Sequence, residues 1–134
     1  MRETEGESTR ITAQSTPSMD EVFDILSNCR RRYALYYLYD QPDDVATLEE
    51  LADAVVRLQH ASVDAEPMVS DADETELDPD ERRRRTRLEL QHTHVPKLED
   101  LGVLELDQRS ETVRYWTQPS LEEWLEHAKH KERL

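Results

Sequence analysis

A chain of 134 residues, 36% of them hydrophobic, can fill one core of ordinary size but not two, so a single domain with polar flanks is expected. Its net charge of −14 opposes any diffuse attraction to phosphate, and contact with nucleic acid would have to draw on cations gathered in one place. A lone cysteine, Cys29, excludes an intrachain disulfide and a thiolate zinc site; no apolar run reaches bilayer length and the N-terminus lacks a basic and apolar leader pattern, so no membrane contact and a cytoplasmic location are expected.

The fold is expected to begin at residue 18, behind a disordered acidic and polar tail over 1–17. Ser18-x-x-Glu21 has the pattern of a capping box, in which hydroxyl and carboxylate satisfy opposite orphan N–H groups. Met19, Val22, Phe23 and Leu26 follow at helical spacing. Asn28 redirects the chain into a second helix, Cys29 to Asp40. Its run Tyr33-Ala-Leu-Tyr-Tyr-Leu-Tyr39 is apolar nearly all round, which marks a helix buried on several sides or shared with another subunit. Gln41-Pro42-Asp43-Asp44 breaks that helix. Thr47-x-x-Glu50 is a second capping box, and Leu48, Leu51, Ala52, Val55 and Leu58 predict a helix over about 48–59.

Residues 60–78 hold Pro67 and seven acidic side chains with little apolar pattern and read as a loop insertion. Asp78-Pro79-x-Glu81 restarts helix with a cap, a proline at the first helical position and acids at the positive dipole end. That helix is predicted to reach Leu101, bent at Pro96. Gly102 stands where a left-handed residue ends a helix without a Cβ penalty. Alternation then gives a hairpin of Leu104 to Asp107, a turn at 108–111, and Thr112 to Trp116, with Leu104 and Leu106 matched to Val113 and Tyr115. Ser120-x-x-Glu123 caps a last helix bearing Leu121, Trp124, Leu125 and Ala128. The expected fold class is mainly α with a small β-hairpin, a winged helix-turn-helix domain over 18–118 containing the insertion at 60–78. A dimerisation helix over 119–134 follows.

Arg82 to Arg85 with Arg87 put five guanidinium groups within six positions. On a helical wheel, Arg84, Leu88, Gln91, Val95 and Leu98 share the stripe assigned to the core, and Arg82, Arg83, Thr86, Glu89, Thr93 and Lys97 take the opposite face. Arginine forks onto phosphate or guanine, threonine meets a thymine methyl, and lysine is a point charge for phosphate. The expected contacts with double-stranded DNA are therefore Arg82, Arg83, Thr86, Thr93, His94 and Lys97 on the helix, with Arg109 and Arg114 on the hairpin. Taken alone, the arginine run reads rather as a solvated face pairing with Asp78, Asp80, Glu81 and Glu89, and the helix-then-hairpin order turns the reading toward DNA.

Three motifs in order, Phe23-x-x-Leu26-Ser27-Asn28-x-Arg30-Arg31-Arg32-Tyr33-x-Leu35, Thr47-Leu48-x-Glu50-Leu51-Ala52 and His92-x-His94-Val95-Pro96-Lys97-Leu98-x-x-x-Gly102-Val103, resemble a haloarchaeal winged-helix domain related to arsenic-repressor-like regulators. The likeness covers about residues 19–116 and implies a dimeric fold that binds specific DNA sequences. The abundance of Asp and Glu beside only three lysines, at 97, 129 and 131, is similar to proteins of salt-accumulating halophiles. The acidic insertion and the missing cysteine pair depart from the arsenic-repressor pattern and speak against metal sensing.

Other chemistry has weaker support. His92 and His94 point apart on a helix, while His127 and His130, at i and i+3, sit beside Glu126 and Lys129 on a polar face. Cys29 beside Arg30 reads as a small buried hydrophobe rather than a redox thiol. Two glycines leave no phosphate-cradling loop, and no enzyme activity or cofactor is expected. A homodimer is expected through Tyr36, Tyr37, Tyr39, Trp124 and Leu125, because one small core has little room for so many large side chains. The alternative function is a winged-helix protein-interaction module that does not bind DNA.

Overall fold

The computed structural model describes residues 17–63 and 78–132; the expected tail at 1–17, apart from Pro17, which is buried, and the central part of the acidic insertion, 64–77, lie outside the described residues. Helices α1, Met19–Leu26, and α2, Cys29–Asp40, lead through strand β1, Val45–Thr47, into α3, Leu48–Val63. Helix α4, Pro79–Glu89, continues through one π turn at Leu90–His94 into α5, Val95–Asp100. Strands β2, Leu104–Asp107, and β3, Thr112–Tyr115, form the hairpin, and α6, Pro119–Glu132, follows.

The start signals behave as their chemistry requires. Ser18 and Glu21 form the reciprocal capping box at 3.1 and 2.8 Å, and Thr47 and Glu50 form another at 3.1 and 2.9 Å. Asp78 accepts from the Glu81 N–H at 2.8 Å. The last helix differs from expectation: it opens at Pro119, and Ser120 lies inside it with a buried Oγ that has no hydrogen-bond partner. The start of α6 is held instead by Gln118, whose Nε2 donates to the Gly102 carbonyl at 3.1 Å. Helix α3 also runs further than predicted, to Val63, so the insertion begins later than residue 60.

The π turn is the main departure in backbone. Pro96 has no N–H to offer the His92 carbonyl and its ring crowds that group, so the chain widens there and the Val95 N–H reaches Leu90 O. One extra residue per turn shifts the helical phase. A uniform wheel drawn back from Leu98 and Val95 arrives at Gln91, Leu88 and Arg84, but across the π turn the inward positions become Leu90 and Thr86. Arg84 and Leu88 are therefore exposed, contrary to the core stripe read from sequence, while Thr86 and His94 are each 5% exposed and face inward rather than outward. At the C-terminus Gly102, φ 75°, sends its N–H to Glu99 O at 3.0 Å, and Val103 sends its own to Leu98 O at 3.0 Å. This pair of bonds is a Schellman ending.

The sheet is antiparallel in the order β1-β3-β2, with Leu104 opposite Tyr115, Leu106 opposite Val113, and Ala46 opposite Val113 from the other side. Strand β1 was not expected. Three residues are too few to show a period of two, and pairing with β3 makes them extended. The free edge of β2 is partly closed, since the Leu106 N–H donates to Glu99 Oε2 at 2.8 Å.

Helix α2 runs through the centre of the fold. Tyr33, Leu35, Tyr36 and Leu38 are buried with Leu51 and Val55 of α3, Val95 and Leu98 of α5, Val113 and Tyr115 of β3, and Leu121 and Leu125 of α6. The last helix folds back on α2 of the same chain. Tyr36 and Leu125, assigned to a subunit interface from sequence, thus lie in the chain's own core. The remaining members of that set, Tyr37, Tyr39 and Trp124, are half-buried.

Candidate functional site

Three successive arginines open α2, at the positive end of its dipole where cations are disfavoured. Each is compensated by a different element. Arg30 Nε lies 3.2 Å from Glu89 Oε1 at the end of α4. Arg31, 8% exposed, donates to the open carbonyls of Asp24 and Ile25 at 2.9 and 3.2 Å, and its Nη1 stands 3.5 Å from His94 Nδ1. Arg32 forks onto Glu132 and gives Nη1 to Leu26 O at 2.6 Å. Burial, then the charges of Arg31 and Arg30, push the His94 imidazole down to about 4, so it is neutral near pH 7. A guanidinium only donates, which makes Nδ1 the acceptor. The sequence motif displays these arginines but gives no sign of their destinations.

Away from α2, α4 presents Arg84, Arg85 and Leu88 and the π turn presents His92 and Thr93, all exposed, with Arg82 and Arg83 half-buried. Arg83 and Arg84 meet Asp80 and Glu81 one turn back, at 2.7 and 2.8 Å. Exposed i,i+3 pairs of this kind contribute under about 1 kcal/mol and are readily exchanged for a phosphate. Arg87 is held more firmly: its Nε lies 3.1 Å from Glu49 and its Nη2 2.5 Å from Glu111, joining α4 to the start of α3 and to the hairpin turn. In the hairpin, Arg109 is exposed at the turn and Arg114 is exposed on the outer face, its guanidinium 5.7 Å over the Trp116 ring.

Of the DNA contacts expected from sequence, Arg82, Arg83, Thr93, Arg109 and Arg114 therefore reach the surface, and Thr86 and His94 do not. Lys97 turns to α1, where its Nζ pairs with Asp24 at 2.7 Å; that hydrogen bond lowers the Asp24 carboxyl below its ordinary value. The outward face read from sequence lacks Arg84, Arg85, Leu88 and His92, which the phase shift at the proline brings to the surface. Tyr39 donates its hydroxyl to Glu126, which raises it to about 12, and its ring stands edge-on to Tyr115.

An open cleft of about 370 Å³ lies between α1 and α5, lined by Asp20, Glu21, Asp24, Lys97, Asp100 and Leu101. Four of these six side chains are acidic and one is apolar, which gives a small-molecule ligand little to bury against. Among the described residues no group of three or more His, Cys, Asp or Glu side chains is placed to hold a metal ion, and no helix is long and apolar enough to cross a membrane. Cys29 is a half-buried free thiol.

Comparison with curated proteins and with solved structures gives no match. Residues 23–114, from the middle of α1 to the hairpin's second strand, match the family model described as a domain of unknown function, DUF7344, and the chain belongs to that family.

Proposed function

We propose that the chain is a DNA-binding transcriptional regulator of the winged helix-turn-helix kind, with α3 and α4 as the helical pair and the β2–β3 hairpin as the wing. The observation that carries this reading is the outward side of α4, lined with arginines and tied through Arg87 to the hairpin turn. Helix, strand, helix, helix, hairpin, with the first strand paired to the hairpin's second, is the order in which a winged helix presents one helix to the major groove and the wing beside it. In this reading Arg84 and Arg85, exposed on α4, meet base edges and phosphates, and Arg109 and Arg114, exposed on the hairpin, supply contacts from the wing.

Net charge sets the terms of such binding. At −14 the body repels duplex DNA and leaves the local cationic face to win. Fluorescence anisotropy on a pool of genomic fragments, run at low and high potassium chloride, is the test. Arg84→Glu with Arg85→Glu should abolish retention, and Lys97→Glu, whose ammonium is engaged with Asp24, should leave most of it. Absence of retention by the native chain on every fragment would end this reading.

A protein-interaction reading of the same face has one observation in its favour: Leu88, 47% exposed, sits amid the arginines as an apolar contact. Retention of DNA that survives Leu88→Ala but not the arginine reversals rules it out.

A further inference from the structure

We propose that Leu88 is a specificity-determining residue of α4, packing on the C5-methyl groups of thymine in the major groove. The inference rests on the DNA-binding reading and deepens it. Leu88 is 47% exposed, whereas Leu90 is 1% exposed and fills the core position of this stretch. The π turn at Leu90–His94 turns position 88 away from the buried stripe of Val95 and Leu98, so core packing does not account for a leucine there. Arg84 and Arg85 precede it by one turn, with about 5–6 Å between Cβ atoms, and a helical side chain leans over the turn before its own. Leu88 is thus an apolar centre beside two exposed guanidinium groups, with His92 and Thr93, also exposed, beyond it.

This surface matches the major-groove edge of an A·T pair. There thymine presents its C5-methyl beside the O4 acceptor, adenine N7 is a further acceptor, and a neighbouring guanine adds N7 and O6. Donors set around an apolar group complement that edge. The acids of α4 are engaged elsewhere: Asp80 with Arg83, Glu81 with Arg84 and Glu89 with Arg30 of α2, at 2.7, 2.8 and 3.2 Å. On the adjoining α3, Glu49 holds Arg87, Glu50 closes the capping box with Thr47, and Asp53 pairs with Arg57. Glu111 of the hairpin turn also holds Arg87. Much of the positive charge near Leu88 is therefore already matched, and the net charge of −14 repels phosphate. Burial of apolar surface is the attraction left that neither the body's charge nor salt screens away.

Uracil lacks only the C5-methyl of thymine, so exchanging one for the other within an unchanged sequence isolates this contact. Random-sequence duplexes enriched by binding to the native chain are copied with thymidine or with deoxyuridine triphosphate, and both copies are titrated by fluorescence anisotropy with the full chain at low and high potassium chloride. The native chain should bind the thymine copy several-fold more tightly, by a ratio that holds as salt rises and both affinities fall. Leu88→Ala should still retain DNA but with the preference lost, its helical circular dichroism unchanged because the position is on the surface. Leu88→Met, which restores an apolar chain of similar reach, should recover most of the preference. A native chain that binds neither copy ends the DNA-binding reading and this inference with it. Equal binding of the two copies overturns the inference alone and leaves that reading standing. A preference that persists in Leu88→Ala, or that Thr93→Ser removes in its place, also overturns it.

Discussion

Arg32 holds Glu132 by two parallel hydrogen bonds, Nε to Oε1 at 3.1 Å and Nη2 to Oε2 at 2.7 Å, across a separation of 100 residues. The Tyr36 hydroxyl donates to the same carboxylate at 2.6 Å. Burial alone would raise the Glu132 carboxyl, but the bonds from Arg32 and Tyr36 outweigh it and hold the group below its ordinary value of 4.5. A carboxyl depressed in the folded state adds stability that is present above the ordinary value and lost as pH falls through the folded one. Glu132→Ala should therefore cost about 1–3 kcal/mol at neutral pH, since it leaves Arg32 without its charge partner. Urea melts should show the variant and native curves converging at acid pH below 4.5.

His94 titrates in a different window and with its own sign. Its unfolded value is 6.5 and its folded value about 4, so between the two the unfolded chain binds more protons and stability falls as pH drops. The gap corresponds to at most about 3 kcal/mol, complete only when pH has passed below the folded value. Gln at this position keeps an acceptor for Arg31 and does not titrate. His94→Gln should flatten the stability profile between pH 6.5 and 4 while leaving the acid limb that Glu132 contributes. Thermal melts at half-unit steps of pH separate the two.

The phase of α4 can be read from a pair of truncations. Leu90 is 1% exposed and Leu88 47%, although the two are neighbours but one. Leu90→Ala should cost about 2–5 kcal/mol through lost burial and the cavity left behind. Leu88→Ala should change stability by under about 0.5 kcal/mol, as surface substitutions do. The reverse order, a large loss at Leu88 and a small one at Leu90, would mean that the helix continues uniformly through residues 90–94 and that the π turn is absent in solution.

Much of the fold was legible because its signals are local. Capping boxes at Ser18 and Thr47, the cap at Asp78, the glycine at 102 and the alternation in the hairpin each act within a few residues, and each element they predict is present. What was missed depends on partners distant in sequence. Strand β1 exists through its pairing with β3, and Arg30, Arg31 and Arg32 gain their roles from Glu89, His94 and Glu132. The candidate face was misassigned by one physical event, the π turn before Pro96, which a constant helical period cannot represent. The tyrosines of α2 find room in a single core because α6 packs on α2 of the same chain, a contact between elements far apart in sequence.

The hairpin turn offers a way to separate backbone strain from an ion pair at one residue. Glu111 has φ 56°, a left-handed conformation that costs a residue with a Cβ on the order of 1 kcal/mol, while its carboxylate meets Arg87 and its carbonyl accepts the Leu48 N–H at 2.9 Å. Ala at this position keeps the strain and loses the carboxylate; Gly loses both. The carboxylate is partly exposed, so screening by solvent limits the pair to under about 1 kcal/mol. Glu111→Ala should therefore be mildly destabilised and more so at low salt than at high, whereas Glu111→Gly should be the more stable of the two by about 1 kcal/mol. Urea melts of both variants at two salt concentrations decide it. Equal stability would place residue 111 outside the left-handed region, and with it the turn that sets the hairpin beside Arg87.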